Sequence, residues 1–363
     1  MTFVRKPLPR FSVLLALISG LLLGGPGLLP QAEAETWQLQ SWVPPFDYQS
    51  EPQTIAYTPL KTASRKWRLC ASYPHLKDSY WLSVNYGMVE EARRLGVALR
   101  VVEAGGYPNL DRQIAQIEEC VAAGADALIV GPVSYSGLTN LVAQVAQHIP
   151  VIAAVNDIDN RGITAKSAVP WTDMGGSIGA YFARIHPKGS PPVKVAWFPG
   201  PKGAGWVRFV ETGFRAAIAG SSAEVVATKW GDTGTEIQLI LIEEMLEEHP
   251  DIDYIVGSAV TAGAAVSLLR ARGLTGKIQV LADYFTHAVY RGIKRDKILA
   301  APTDAPVLQG RLAIDQAVRA LEGKLEILHA GPRIRIIDQG NIETMDLEAS
   351  VAPAWFTPTF TVE

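Results

Sequence analysis

The sequence predicts an α/β fold of two doubly wound, parallel-sheet lobes, and three observations carry that reading. From residue 67 onward, short apolar runs alternate with stretches whose apolar residues recur every three or four positions, the mark of β-α-β repetition. The rhythm restarts after Gly189-Ser190-Pro191-Pro192, a turn-rich break. At 363 residues the chain is long enough for two cores, and 48% hydrophobic with 19% charged residues is ordinary for a folded globular protein.

The first segment carries Arg5, Lys6 and Arg10, an apolar run over 11–23, then Gly24, Gly25, Pro26 and the small-residue triplet Ala32-Glu33-Ala34. Basic start, short apolar core and small-residue end define a secretory leader, so residues 1–34 are predicted to be a signal peptide cleaved near Ala34. An uncleaved membrane anchor is the competing reading, but the run is broken by Ser19 and Gly20 and falls short of the roughly 18–20 residues that a span needs. Residues 35–66 hold Trp37, Trp42, Pro44, Pro45, Phe46, Pro52 and Pro59 without helical or alternating period. They read as an extended arm lying on the body, with the aromatics packed against it.

In the first lobe, strands are expected at 67–72, 97–102, 127–130 and 151–155, with helices at 80–95, 110–123 and 138–147. In the second, strands are expected at 193–198, 224–228, 254–256, 278–282 and 298–301. Helices fall at 206–219, 236–248, 262–272 and 308–321, and another begins at Thr172 with Ile178, Tyr181 and Ile185 on its apolar stripe.

A ligand cleft is expected between such lobes. The segment Tyr73-Pro74-His75-Leu76-Lys77-Asp78-Ser79-Tyr80-Trp81 follows the first strand and opens the first helix. In open parallel sheets, ligands sit beyond the carboxyl ends of the strands against helix N-termini, so Asp78, Tyr80 and Trp81 are expected to face that cleft. The competing reading makes one of the two aromatics core, because Tyr80 shares a helical stripe with Val84, Met88, Ala92 and Leu95. An acid beside aromatic faces suits a small cation or dipole. Asp78 also reads as the N-cap of the helix. Tyr107 follows Gly105-Gly106, a pair that lets the chain turn and aim the ring at the cleft. Trp171 opens the helix that continues through Thr172, and is another candidate. Tyr284 and Asp283 follow the strand at 278–282, where Asp283 equally reads as a cap for the helix beginning near Thr286. Trp230, after 224–228, is a further candidate. Trp206 shares a stripe with Phe209, Val210, Gly213 and Phe214 and reads as core.

Other chemistries find little support. A formal net charge of -3 and no long basic run argue against nucleic acid or a membrane surface as partner. The six histidines are scattered, so neither a metal nor another cofactor is expected. Gly175-Gly176-Ser177-Ile178-Gly179 matches the hydrolase nucleophile elbow, but no strand precedes it, so an exported esterase using Ser177 is the rival from another class. Gly200-Pro201-Lys202-Gly203-Ala204-Gly205 reads as a tight turn, because the third dinucleotide-binding glycine is replaced by Arg208. Cys70 and Cys120 either pair or stay as buried thiols.

Gly124-Ala125-Asp126-Ala127-Leu128-Ile129-Val130, Pro150-Val151-Ile152 and Gly213-Phe214-Arg215-Ala216-Ala217 resemble the type I periplasmic binding proteins of the ribose-binding kind. Within that superfamily, Val43-Pro44-Pro45-Phe46-Asp47, the segment 74–81 and Ala104-Gly105-Gly106-Tyr107 are similar to the TorT family, periplasmic sensors of trimethylamine N-oxide. The resemblance implies a three-crossing hinge near Val169-Pro170, near Asp304-Ala305 and after the helix at 308–321. It thereby implies a first lobe of 67–170 and 305–328, a second of 171–304 and 329–345, and a C-terminal tail of 346–363. It also implies that Tyr80 and Trp81 replace the stacking aromatics of sugar binders, with Asp78 before them and Tyr284 beside the usual acidic contact at Asp283. Gly257-Ser258-Ala259-Val260 departs from the polar Asn-Asp of sugar binders, which removes partners that a polyol needs. The implied function is a periplasmic, non-enzymatic protein that binds trimethylamine N-oxide and signals to a membrane-bound sensor histidine kinase resembling TorS, inducing anaerobic respiration. The alternative within the class is the binding protein of an ABC importer for a sugar or quaternary amine.

Overall fold

Strands buried on both faces need continuous apolar runs, and the expected strand 67–72 is one: β3 (Arg68–Tyr73) is buried at every position after Arg68. The computed structural model describes Thr2 and residues 35–363, so the expected leader otherwise lies outside the described residues. After β1 (Trp37–Ser41), β2 (Gln53–Tyr57) and β3 come α1 (Ser79–Leu95), β4 (Ala98–Glu103), α2 (Leu110–Ala122), β5 (Ala127–Val130), α3 (Thr139–Val145), β6 (Val151–Ala154) and β7 (Ala165–Ser167). The second series runs α4 (Trp171–Ile185), β8 (Val193–Gly200), α5 (Gly205–Ile218), β9 (Ala223–Trp230), α6 (Thr235–Glu248), β10 (Tyr254–Gly257), α7 (Ala259–Ala271), β11 (Gln279–Ala282), α8 (His287–Lys294) and β12 (Ala300–Thr303). The chain finishes with α9 (Pro306–Leu321), β13 (His329–Pro332), β14 (Arg335–Asp338), α10 (Leu347–Ser350) and β15 (Thr361–Val362).

Two sheets result. The first has the order β15-β4-β3-β5-β6-β7-β13-β1-β2 and the second β11-β10-β8-β9, while β12 and β14 pair apart. Neighbours from β4 through β13, and all pairs in the second sheet, are parallel. The flanking pairs β1–β2, β1–β13 and β15–β4 are antiparallel.

The arm does more than lie on the body. Leu39 pairs with Pro332 and Ile55, so β1 and β2 extend the first sheet as a hairpin. Its loop wraps His329, with the Trp42 ring stacked at 4.6 Å and the Phe46 N–H donating to His329 Nδ1 at 3.0 Å. The expected tail is likewise integrated: β15 pairs with β4 and closes the other edge, where an open strand would otherwise recruit a second chain. Residues 329–332, expected in the second lobe, form β13 of the first sheet, and the chain leaves that sheet only after Pro332. The strand expected at 298–301 does not join the second sheet but pairs with β14.

Cys70 and Cys120 are joined in a disulfide that ties β3 to α2 across a separation of 50 residues. On the chain-entropy account such a closure stabilises by about 4 kcal/mol.

The glycines around Ser177 have a packing purpose. A Cβ at Gly175 would collide with the Val210 carbonyl, one at Gly213 with the Thr172 carbonyl, and one at Gly179 would lie 2.7 Å from Ala217 Cβ. Helices α4 and α5 therefore cross backbone to backbone. Gly87 and Gly310 serve α1 and α9 the same way, meeting the Val307 and Val84 carbonyls. Ser177 itself sits in mid-helix, where the nucleophile elbow requires a strand-to-helix turn, so the esterase geometry is not present.

Candidate ligand-binding cleft

The carboxyl ends of both sheets converge on one cavity lined by Asp78, Tyr80, Trp81, Tyr107, Asn156, Trp171, Trp206, Thr233 and Tyr284. Its rings leave about 10 Å³ of free space, about the room that one water needs. Any larger solute has to part them.

Asp78 holds the first corner. Its Oδ1 accepts the Tyr80 N–H at 3.0 Å, capping α1, and its Oδ2 accepts the Tyr284 hydroxyl at 2.6 Å, linking the first helix to the turn after β11. Tyr80 donates its own hydroxyl to Asp304 Oδ2 at 2.6 Å, at the second crossing. Two phenols are thus each backed by a carboxyl group, and their rings meet edge to face at 5.2 Å. Burial raises both carboxyl pKa values from the ordinary range, opposed by the phenol donors. Burial, then the adjacent acids, pushes both phenols upward as well, so they stay protonated.

The opposite wall is built from indoles. Trp171, first residue of α4, donates Nε1–H to the Val155 carbonyl at 2.9 Å. Val155 reaches that position at φ 68°, a left-handed conformation that a β-branched residue adopts only under strain. The same bend delivers Asn156, whose Nδ2 donates to the Pro132 carbonyl at 2.9 Å and to Tyr107 Oη at 3.1 Å. Trp81 Nε1–H donates to that Tyr107 oxygen at 3.3 Å. Trp206 stands among Trp171, Tyr107 and Tyr284 at ring separations of 5.2, 6.0 and 5.9 Å, and its buried Nε1 has no protein partner.

At the mouth, His75 Nε2 meets Thr233 Oγ1 at 3.0 Å and Lys77 pairs with Asp232 at 2.5 Å, both joining the turn after β3 to the turn after β9. Burial, reinforced by Lys77, lowers the His75 pKa to about 4, so it is neutral at pH 7.

Six predicted residues, Asp78, Tyr80, Trp81, Tyr107, Trp171 and Tyr284, therefore line one cavity, and the expected Asp78 cap forms. Trp206, expected in the core, lines it too: the stripe runs along α5, but residue 206 lies in its first turn, at the cleft. Asn156 and Thr233 escaped sequence reading because a single polar residue in a loop has no periodic signal. Trp230 does not line the cavity; it is 40% exposed on β9 with Lys202 over its ring. Nor does Asp283 cap α8, since Thr286 does.

Asp283 is instead fully buried, with both carboxyl oxygens lacking a hydrogen-bond partner. Burial raises its pKa well above the usual range. A raised folded-state pKa contributes stability below the unfolded value, near 4, that is lost as pH rises through the folded one. Asp283→Asn, which cannot ionise, is expected to match the parent at pH 4 and to exceed it at pH 7, because the parent alone loses stability with rising pH, by about 1.4 kcal/mol per pH unit until its folded-state pKa is reached. Melting curves across that range check this; a gap that fails to widen with pH would refute it.

Among the described residues, no group of three or more His, Cys, Asp or Glu could hold a metal ion. Ring faces over acid-backed phenols instead make a receptacle for a compact, positively polarised solute.

A cleft between two mainly parallel sheets, closed by aromatic side chains from both, defines a solute-binding protein of the type I periplasmic class. Residues 66–341 match the family of periplasmic binding proteins and sugar binding domains of the LacI family, and the chain belongs to it. In particular, the chain is similar to the periplasmic protein TorT of Escherichia coli (strain K12), with 44% identity over 306 residues, 84% of this chain and 87% of that protein. The solved complex of the TorS sensor domain with TorT in the presence of trimethylamine N-oxide contains a chain with 41% identity and a TM-score of 0.75, covering 81% of this chain and 100% of that one. An ABC transporter solute binding protein from Bradyrhizobium sp. BTAi1, with bound bis-tris, shows 49% identity and a TM-score of 0.77, covering 91% of this chain and 99% of its own.

Proposed function

We propose that the chain is exported, loses its leader near Ala34, and works in the periplasm as a non-enzymatic receptor for trimethylamine N-oxide that reports occupancy to the sensor domain of a TorS-like histidine kinase. The carrying observation is the cage of Tyr80, Trp81, Tyr107, Trp171, Trp206 and Tyr284 around one small cavity, with Asp78 and Asp304 behind two phenols. Aromatic faces attract the polarised trimethylammonium head, each by about 0.5–2 kcal/mol when desolvated. Similarity to TorT, and to the chain solved with the TorS sensor domain, supports the ligand and the partner.

Trimethylamine N-oxide has five heavy atoms. At a ceiling near 1.5 kcal/mol per atom, its affinity reaches about 7–8 kcal/mol, or micromolar at best. Signalling further requires that it bind the closed lobes more tightly than the open ones, since only differential affinity moves a population.

A second reading, receptor for an ABC importer, is favoured by the Bradyrhizobium relative. Titration calorimetry of residues 35–363 with trimethylamine N-oxide, trimethylamine, glycine betaine and ribose separates the two. Saturable micromolar heat with the N-oxide alone is expected. Preference for betaine or ribose would favour uptake, and no heat with any of them would leave the fold without this ligand.

A further inference from the structure

We infer that Asn156 is a positioning residue that turns the Tyr107 hydroxyl proton into the cavity, so that the cleft selects a ligand carrying a hydrogen-bond acceptor. This rests on the small-solute reading above and narrows it.

The argument follows from donor and acceptor inventories. An indole nitrogen can only donate, so Trp81 Nε1 fills one lone pair of Tyr107 Oη. The Asn156 amide could in principle face either way, but its Nδ2 lies 2.9 Å from the Pro132 carbonyl, which cannot donate, so the NH₂ group must be on that side. Its second hydrogen then reaches Tyr107 Oη and fills the other lone pair. With both lone pairs taken, the phenol can use only its proton, and among the described residues no hydrogen bond takes that proton. Tyr107 lines the cavity at 9% exposure, so the proton is offered there. Trp206 Nε1–H, buried without a partner in the same lining, is a second donor.

The other polar hydrogens of the cage are already spent. Tyr80 donates to Asp304, Tyr284 to Asp78 and Trp171 to the Val155 carbonyl. One wall therefore presents two free donors and the other presents acid-backed rings. A ligand without an acceptor leaves the donors buried and unpaired, which is the arrangement that discriminates most strongly against an analogue. The strained backbone at Val155 is consistent with this purpose, because that bend places Asn156 beneath Tyr107 and the Val155 carbonyl against Trp171.

The test compares trimethylamine N-oxide with tetramethylammonium, which replaces the oxygen by a methyl group, in calorimetric titrations of residues 35–363. Tyr107→Phe is expected to weaken the N-oxide about tenfold more than it weakens tetramethylammonium. Asn156→Leu should act in the same direction. Asn156→Asp should do so with Tyr107 intact, because a carboxylate would take the phenol proton away from the cavity. Equal weakening of both ligands would mean that Asn156 and Tyr107 merely hold the wall together, and unchanged N-oxide affinity in Tyr107→Phe would overturn the inference alone. Failure of the parent protein to bind the N-oxide at all would overturn it together with the functional reading.

Discussion

Trp206→Ala is expected to weaken binding of trimethylamine N-oxide by about 100-fold. The indole supplies a face worth up to about 2 kcal/mol to a desolvated cation. Its unpartnered Nε1–H supplies a hydrogen bond worth about 1 kcal/mol. Together they give about 3 kcal/mol, and each 1.4 kcal/mol is about tenfold in affinity. Removing a tryptophan that is 2% exposed also costs fold stability, roughly 3–5 kcal/mol. Trp206→Phe is therefore the companion variant, since it keeps a ring face and loses the N–H. It should bind about fivefold more weakly than the parent. Calorimetry on both variants, confirmed as folded by circular dichroism, decides the matter. Parental affinity in Trp206→Ala would return this residue to the core, where its helical stripe alone would put it.

The second large effect is on stability. Gly213→Ala should lower it by about 3 kcal/mol or more, because the added methyl meets the Thr172 backbone rather than a side chain that could swing aside. Helices α4 and α5 would have to separate along the crossing that Gly175 and Gly179 also line. At about 1.5 °C per kcal/mol for a chain of well over 300 residues, the melting temperature should fall by about 4 °C. Gly176→Ala is the control one position from Gly175. A Cβ there meets nothing within 4 Å, so the change should be neutral or stabilising by up to about 1 kcal/mol through helix propensity. If the two alanines had equal effects in a thermal melt, the close crossing would not exist in solution.

These residues also show how much the sequence discloses. Helix α1 is legible because its signals are local: Asp78 caps it, its stripe has the right period, and Gly96 ends it at φ 73°. Tyr80 and Trp81 can be placed in the cleft for the same reason, since their position in the first turn after a parallel strand is a rule of topology. Trp206 obeys that rule too, but its helical stripe obscures it. In the first turn of α5, one side of the helix faces the core and the cleft together, and periodicity does not distinguish them.

The sequence by itself determined the two α/β series, the Asp78 cap and the aromatic turns, because each arises from neighbours within a few residues along the chain. Tertiary structure alone decided the rest. The arm became sheet because β1 found β13 nearly 300 positions away, with Leu39 paired to Pro332. Asn156 became part of the cleft through a bend at Val155 and two acceptors from other loops. The Asp283 carboxyl is left without a hydrogen-bond partner because it is enclosed between elements that individually look ordinary. Periodicity reports which face of an element is apolar, but a hydrogen bond or a cavity depends on which distant element is brought against that face.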